Sequence, residues 1–383
     1  MNCAADLVYS PDLRAYNHGP GHPMRPDRFV LTRELIAAYG LLEREGVREL
    51  APRIATNDEL ALVHDHDYIE ATIAASEGAP GNWSQYGFGP GDNPIFLDMH
   101  TAAARVAGAT LVAADSVLNG PGHAFSPAGG LHHAMPDRAS GFCVYDDPAI
   151  AIAWLLNQRG VERIAYIDID VHHGDGVQAI FYDDPRVLTI SIHESGRSLF
   201  PGTGGINELG GPEAEGTSVN IPLPPGTGGK EWLNAFAAVV PPLLKEWKAD
   251  VLVTQLGCDT HATDPLAHLL LNTPTYARVT RMLHMLAHQE ANGRWLATGG
   301  GGYQWSNVVP RAWTIAFAQM VGADLPDEIP ETFLAEAERV AGTRPPATLS
   351  EPEEASAEGV PALVSATVTA VCERVFPMHG AFF

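Results

Sequence analysis

Four stretches of this chain are short, rich in β-branched residues and apolar at nearly every position. They are Arg163-Ile-Ala-Tyr-Ile-Asp-Ile-Asp170, Val187-Leu-Thr-Ile-Ser-Ile192, Asp250-Val-Leu-Val-Thr-Gln-Leu256 and Arg294-Trp-Leu-Ala-Thr298. Strands covered on both faces read this way, which predicts a parallel sheet roofed by helices on each side. Helical stretches lie between them, at 149–158, 231–247 and 275–292. Pro241-Pro242 interrupts the second, because proline removes a backbone donor and crowds the preceding turn. Alternation of this kind predicts one α/β domain with helices on both faces of a mainly parallel sheet.

Upstream of that region helix signals dominate. Pro26 stands where a first turn would start and Gly40 where it would end, bracketing Phe29, Leu31, Leu35 and Ile36. Thr56-Asn-Asp-Glu59 fits a capping box ahead of Leu60 and Val63. The segment 81–94 holds four glycines and two prolines and reads as a loop. From 341 to 358 the chain is rich in Pro, Glu and Ala, which predicts a surface excursion. No internal repeat is found.

Composition narrows the function classes. In 383 residues, 23 Lys and Arg face 46 Asp and Glu, a formal charge of −23. Neutralising a phosphate backbone takes clustered Lys and Arg, so nucleic acid is not the expected partner, and an anionic membrane surface is disfavoured for the same reason. Cys3, Cys143, Cys258 and Cys372 are scattered without a CxxC spacing, which fits a reducing compartment rather than a disulfide framework. The opening MNCAADLVYSPD has no basic region followed by an apolar one, and no window reaches a membrane span's run of apolar residues. A cytoplasmic protein is the expectation. Among 16 histidines, two adjacent pairs stand out, His132-His133 and His172-His173.

Ligands of parallel α/β sheets collect where the loops leave the carboxyl ends of the strands. Each predicted strand runs into a polar or glycine-rich cluster there: Asp168-Ile-Asp170-Val-His172-His173-Gly-Asp175-Gly, Ser191-Ile192-His193, Cys258-Asp259-Thr-His261-Ala-Thr-Asp264 and Gly299-Gly-Gly-Gly-Tyr303. Asp170 and His172 alternate with Ile169 and Val171, so an extended chain points both to one side, about 7 Å apart. That spacing suits a shared metal ion, with Asp264 or Asp259 as the third ligand. One imidazole and two carboxylates leave open positions on zinc, as catalysis requires, and cobalt, iron or manganese accept the same set.

A lone Asp or His at a strand end is more often a cap or turn former, but so many charges in one turn are costly without a metal or mutual pairing. The pair His132-His133 follows Gly129-Gly130, and Asp168 and Asp175 are spare carboxylates able to orient two imidazoles. Tyr303, after four glycines, can lean over the site to donate to an oxyanion. Phe142 and Phe200 fit either the core or an apolar slot.

Taken in order, several motifs resemble one family. They are Gly21-His-Pro-Met-Arg-Pro-Asp-Arg28, Gly129-Gly-Leu-His-His-Ala134, Gly141-Phe-Cys143, Asp168 to Gly176, Phe200-Pro-Gly-Thr-Gly204, Gly257-Cys-Asp-Thr260, Asp264-Pro265 and Gly299 to Tyr303. They stand as in the zinc-dependent histone deacetylase superfamily, closest in pattern to its class I branch and bacterial acetoin-utilization relatives. The resemblance implies an arginase/deacetylase-like three-layer α/β/α fold in one domain over 1–383. Its motif-bearing core would cover about 15–320, followed by a C-terminal extension over 321–383.

It implies metal ligands at Asp170, His172 and Asp264. The tandem histidines are matched by His132 and His133 with carboxylate partners Asp168 and Asp175, and the transition-state tyrosine by Tyr303. Gly141, Phe142 and Phe200 match an acyl-lysine tunnel, and Asp92 a rim group gripping substrate N–H. A structural potassium is implied near Asp168, Asp170, His172, Ser191 and Ile192. His173 is left as structural support.

The activity implied is metal-dependent removal of acetyl groups from lysine ε-amines of a protein or peptide, with zinc in place and iron or cobalt as alternatives. Acetylpolyamine enzymes place an acidic gatekeeper after the third metal ligand, where this chain has Leu271. A polyamine amidohydrolase is therefore the second reading. A two-metal ureohydrolase is disfavoured because His-Gly-Asp follows the Asp-x-His. A non-catalytic acyl-lysine reader is disfavoured because no member of the pattern is missing.

Overall fold

The computed structural model describes residues 3–158 and 160–381. Eight strands, all paired in parallel, form one sheet: β1 (Ala5–Val8), β2 (Val47–Leu50), β3 (His123–Ser126), β4 (Ile164–Asp168), β5 (Val187–Glu194), β6 (Ser218–Leu223), β7 (Val251–Gln255) and β8 (Trp295–Thr298). Their order across the sheet is β2-β1-β3-β8-β7-β4-β5-β6. The four strands expected from unbroken apolar runs are present, with β4, β7 and β8 at the centre. Every residue of those three is buried. β1, β2, β3 and β6 were not among the expected elements. Helices flank the sheet throughout, as the alternation predicts, and one continuous apolar core reaches from Ala5 to Ala381.

The helix Asp27–Ala38 starts after Pro26, as expected, and Thr56 and Glu59 form the reciprocal capping box before a single turn, Asn57–Leu60. The helix Gly229–Trp247 corrects one expectation. It runs without a break through Pro241 and Pro242, because Val239, Val240, Leu243 and Leu244 on either side are buried and hold it to the sheet. Met99–Asn119 and Val360–His379 are long and apolar enough by composition to cross a bilayer. In the fold the first packs on β1, β3 and β8, and the second on β6 and the helix Gly229–Trp247.

The segment after Ala341 is irregular but not a free excursion. Glu351 accepts from His261 at 2.6 Å and pairs with the buried Arg311 at 3.0 Å, while Leu349 is buried and its carbonyl accepts from Thr273. This strap closes over the loop that carries Asp259 and Asp264.

Candidate active site and metal centre

Five adjacent strands, β3-β8-β7-β4-β5, deliver the chemistry-bearing residues to one edge of the sheet. β3 ends at Ser126 and runs into the loop with His132 and His133. β4 ends at Asp168, β7 at Gln255 and β8 at Thr298, each followed by its polar cluster. In a parallel sheet all carboxyl ends face one way, so residues as far apart in sequence as His132 and Tyr303 meet at one place.

The two histidines form two separate dyads. His132 Nδ1 lies 2.7 Å from Asp168 Oδ2, and His133 Nδ1 lies 2.6 Å from Asp175 Oδ1, the pairing expected from the sequence. All four residues are buried. Burial pulls both imidazoles toward the neutral form, but the neighbouring charges then separate them. The carboxylates of Asp168 and Asp170 outweigh burial at His132 and raise it to about 10. At His133 the charge on His132 adds to burial, and its pKa falls to about 4 despite Asp175. The two rings are pushed in opposite directions, His132 toward the imidazolium and His133 toward a neutral base whose Nδ1 faces a carboxylate, leaving Nε2 as the acceptor.

Beside the dyads sits an acidic cluster. Donor atoms of Asp170, His172 and Asp259 lie within 4.8 Å of one another. His172 Nδ1 faces Asp170 Oδ1 at 3.1 Å and Asp259 Oδ2 at 3.0 Å. Burial opposes ionisation of Asp170, yet the charge of His132 and the bonds from His172 hold it well below the usual carboxylate range. Burial, then the charge of Asp170, raises Asp259 to about 7, and burial raises Asp264 to about 6. Three buried carboxylates around one imidazole are short of positive charge, and the position of the shared Nδ1 proton is one a divalent cation would take. This donor set therefore fits a metal of the zinc, iron or cobalt class.

Both third-ligand candidates are placed. Asp259 accepts the Val171 N–H through its other oxygen at 2.8 Å, and Asp264 accepts N–H groups of Leu266 and Tyr303 at 3.0 and 2.9 Å. Those bonds leave the second lone pairs of each carboxylate directed elsewhere. The residues named for potassium also adjoin: Asp168 and Ser191 are register partners on β4 and β5, and Ser191 Oγ meets His193 Nδ1 at 2.8 Å.

Aromatic rings wall the approach. Phe200, 44% exposed, meets the His133 ring edge-on with centroids 5.1 Å apart, and Phe142 meets Tyr303 the same way at 5.8 Å. Burial pushes the Tyr303 phenol well above its usual range, so it stays a proton donor. Phe142 has a left-handed backbone, φ 70°, and its carbonyl accepts from Tyr16 Oη at 2.7 Å and His18 Nε2 at 3.0 Å, which hold that conformation.

Gly141 before it has φ 50°, and a Cβ there would fall on Cδ2 of His133 and 2.7 Å from its Cγ. Only glycine lets the chain lie against that imidazole. Asp92 is exposed on its loop, and its carbonyl accepts from His22 Nε2 at 3.2 Å, which ties the rim to the Phe142 wall through the His22–Phe142 contact. Leu271 is fully buried and its backbone is bonded to Thr260 and Ala262, so it supports the Asp264 loop from within the core rather than standing at the rim. His173 bonds Thr203 and Gln178, the supporting role expected of it.

Several positioning residues were not singled out from the sequence. Asp147 accepts N–H groups of Gly130 and Leu131 and the Thr110 hydroxyl, and so sets the histidine loop. Gln255 reaches Asp170 at 2.7 Å, and Tyr166 donates to Asp168 at 2.7 Å. Arg28 donates to the carbonyls of Gly300 and Gly302, bracing the turn that presents Tyr303. For Asp147 the sequence signal is an acidic residue in the first turn of a helix beside an N-cap Asp146, and for Tyr166 its place two residues before Asp168 on one strand; the contacts of Gln255 and Arg28 span long sequence separations and leave none.

The histone deacetylase domain model matches residues 22–320. The acetoin utilization protein AcuC of Bacillus subtilis is 41% identical over 351 residues, covering 91% of this chain and 90% of that protein. AcuC of Staphylococcus xylosus is 38% identical and covers 92% of each chain. The crystal structure of a histone deacetylase homologue from Aquifex aeolicus superposes with a TM-score of 0.86 at 29% identity, over 96% of this chain and 99% of that one. A homologue complexed with SAHA superposes with a TM-score of 0.85 at 30% identity, covering 96% of this chain and 99% of that one. A single parallel sheet ending in two His–Asp dyads and a carboxylate-rich metal set, with matches of this extent, makes the chain a member of the histone deacetylase family of hydrolases, in its acetoin-utilization branch.

Proposed function

We propose that the protein hydrolyses the acetyl amide of acetyl-lysine side chains in proteins or peptides, releasing acetate and the free ε-amine, as a cytoplasmic enzyme. The observation that carries this reading is the pair of His–Asp dyads beside a metal-donor set, with the Phe200 ring against His133 and the Phe142 ring against Tyr303. Two aromatic rings beside the dyads suit the apolar methylenes of a lysine side chain.

Asp170, His172 and Asp264, with Asp259 alongside, would hold a divalent metal, zinc by preference, which when bound polarises the amide carbonyl and acidifies a water. His133, neutral and oriented by Asp175, accepts the proton of the attacking water at Nε2. Tyr303 donates its phenol hydrogen to the oxyanion that develops on the carbonyl oxygen. His132, whose Nδ1 is held by Asp168, is drawn toward its charged form by the neighbouring carboxylates and offsets their charge. The leaving amine takes its proton from a histidine, and Asp92 at the rim accepts from substrate backbone N–H. A potassium bound near Asp168, Asp170, His172, Ser191 and Ile192 would brace the strand ends.

The −23 charge favours approach of a basic, lysine-bearing surface. The competing substrate is an acetylated polyamine. Initial rates on acetyl-lysine peptides and on acetylspermidine, with metal-reconstituted protein, decide between them. Peptide turnover at least about tenfold above polyamine turnover in kcat/KM supports the proposal; the reverse order replaces it with the polyamine reading.

A further inference from the structure

At the opposite edge of the sheet, where the strands begin, lies a second group of metal-binding side chains. His123 is the first residue of β3, and Cys3 precedes β1. His284 and His288 are one turn apart near the end of the helix Thr273–Glu290, so their rings share a face. The rings of His123, His284 and His288 lie 4.9 to 5.0 Å apart in all three pairs. His284 Nε2 and His288 Nε2 are 3.0 Å apart, Cys3 Sγ is 3.8 Å from His288 Nε2, and one donor atom from each of the four residues lies within 4.8 Å of the others.

A second, independent observation concerns His123. The residue is 2% exposed, and its Nδ1–H donates to the Met320 carbonyl at 3.2 Å. That bond fixes the tautomer and leaves Nε2 as a bare lone pair, and this buried Nε2 has no hydrogen-bond partner among the described residues. A ring nitrogen anchored on a backbone carbonyl with its other nitrogen free is how metal-bound histidines are held.

We propose that Cys3, His123, His284 and His288 form a second, structural metal site that takes zinc or a similar borderline divalent ion. Three imidazoles and one thiolate complete a tetrahedron, which is the closed shell of a structural rather than a catalytic centre. Zinc–nitrogen and zinc–sulfur bonds of about 2.0 to 2.3 Å set donors about 3.3 to 3.6 Å apart, within side-chain rotation of the observed spacings. On binding, the Cys3 thiol gives up its proton to solvent and the sulfur donates its electron pair to the ion; the imidazoles bind neutral and no redox change occurs. The site joins the N-terminal segment, the foot of β3 and the helix Thr273–Glu290, none of which the catalytic edge uses.

The test uses the full-length protein, stripped with chelator and reloaded with zinc or cobalt alone. Elemental analysis is expected to give two equivalents per chain for the wild type and one for Cys3→Ser and for His288→Ala, whose side chains are not buried. Affinity for the second equivalent should fall about 10- to 100-fold or more. Cobalt loading should give a near-ultraviolet thiolate charge-transfer band in the wild type that Cys3→Ser abolishes, because the catalytic donors contain no sulfur. A single equivalent in the wild type overturns the proposal, as does a second equivalent that persists undiminished in both variants without the thiolate band.

Discussion

Gly141→Ala isolates the placement of the base. Two costs are expected and they can be separated. A left-handed backbone costs a non-glycine residue about 1–2 kcal/mol, here at φ 50°. The new Cβ also overlaps the His133 ring, 2.7 Å from Cγ against an ordinary carbon–carbon contact of about 3.5 Å. Relieving that overlap moves the imidazole by roughly 1 Å, enough to strain its 2.6 Å bond to Asp175, and a displacement of that size costs about 10²-fold in rate.

Gly342→Ala supplies the control, with φ 73° and nothing within 4 Å of the added carbon. Thermal unfolding should show a loss of about 1–2 kcal/mol for Gly342→Ala and a larger one for Gly141→Ala, which also carries the overlap with His133. Initial rates on an acetyl-lysine peptide should fall about 100-fold in kcat only for Gly141→Ala. A Gly141→Ala enzyme within about threefold of wild type, with its fold intact, would refute the argument that this glycine positions the base.

Two further outcomes follow from the supporting network. Burial alone would raise Glu351, but the bond from His261 and the charge of Arg311 outweigh it and lower the carboxylate from 4.5 to about 2. A depressed folded pKa contributes stability that is complete above the unfolded value and is lost as pH falls from about 4.5 through 2. The shift would correspond to roughly 3 kcal/mol, and partial exposure reduces this to about 1–2 kcal/mol. Denaturant unfolding of Glu351→Gln should show that loss at pH 7 and a flatter pH dependence below 4.5, whereas a slope unchanged from wild type would count against the strap. Asp147→Asn turns an amide toward the N–H groups of Gly130 and Leu131, and should cost about 2–3 kcal/mol by calorimetry while depressing kcat. An unaltered melting temperature would contradict its role in holding the histidine loop.

The central strands were legible because β4, β5, β7 and β8 are buried on both faces and carry unbroken apolar runs. The missed ones are four to six residues long and mixed in composition. β2, Val-Arg-Glu-Leu, and β6, which contains Pro222, are the sheet's edges, where one face or one hydrogen-bonding side is free and the apolar pattern weakens. β3 is only His-Ala-Phe-Ser, held by its neighbours rather than by its own propensity.

The site was more readable than the sheet. Asp168, Asp170, His172 and Asp175 lie within eight residues, and the histidine pair is contiguous. The bracing by Arg28 and Gln255 depends on contacts 85 to 274 positions apart, which no local pattern encodes. Asp259 shows the same limit. Its Oδ2 meets His172 across 87 positions, so spacing alone left it level with Asp264.

The central claim is that these residues act together as a deacetylase, and the Tyr303 hydroxyl tests it most directly. Tyr303→Phe removes one oxyanion donor and no metal donor. In zinc-reconstituted enzyme assayed for acetate release from an acetyl-lysine peptide, kcat should fall about 10²- to 10³-fold, with bound zinc equal to wild type. Full activity in that variant, or no acetate release from the zinc-loaded wild type, would contradict the account.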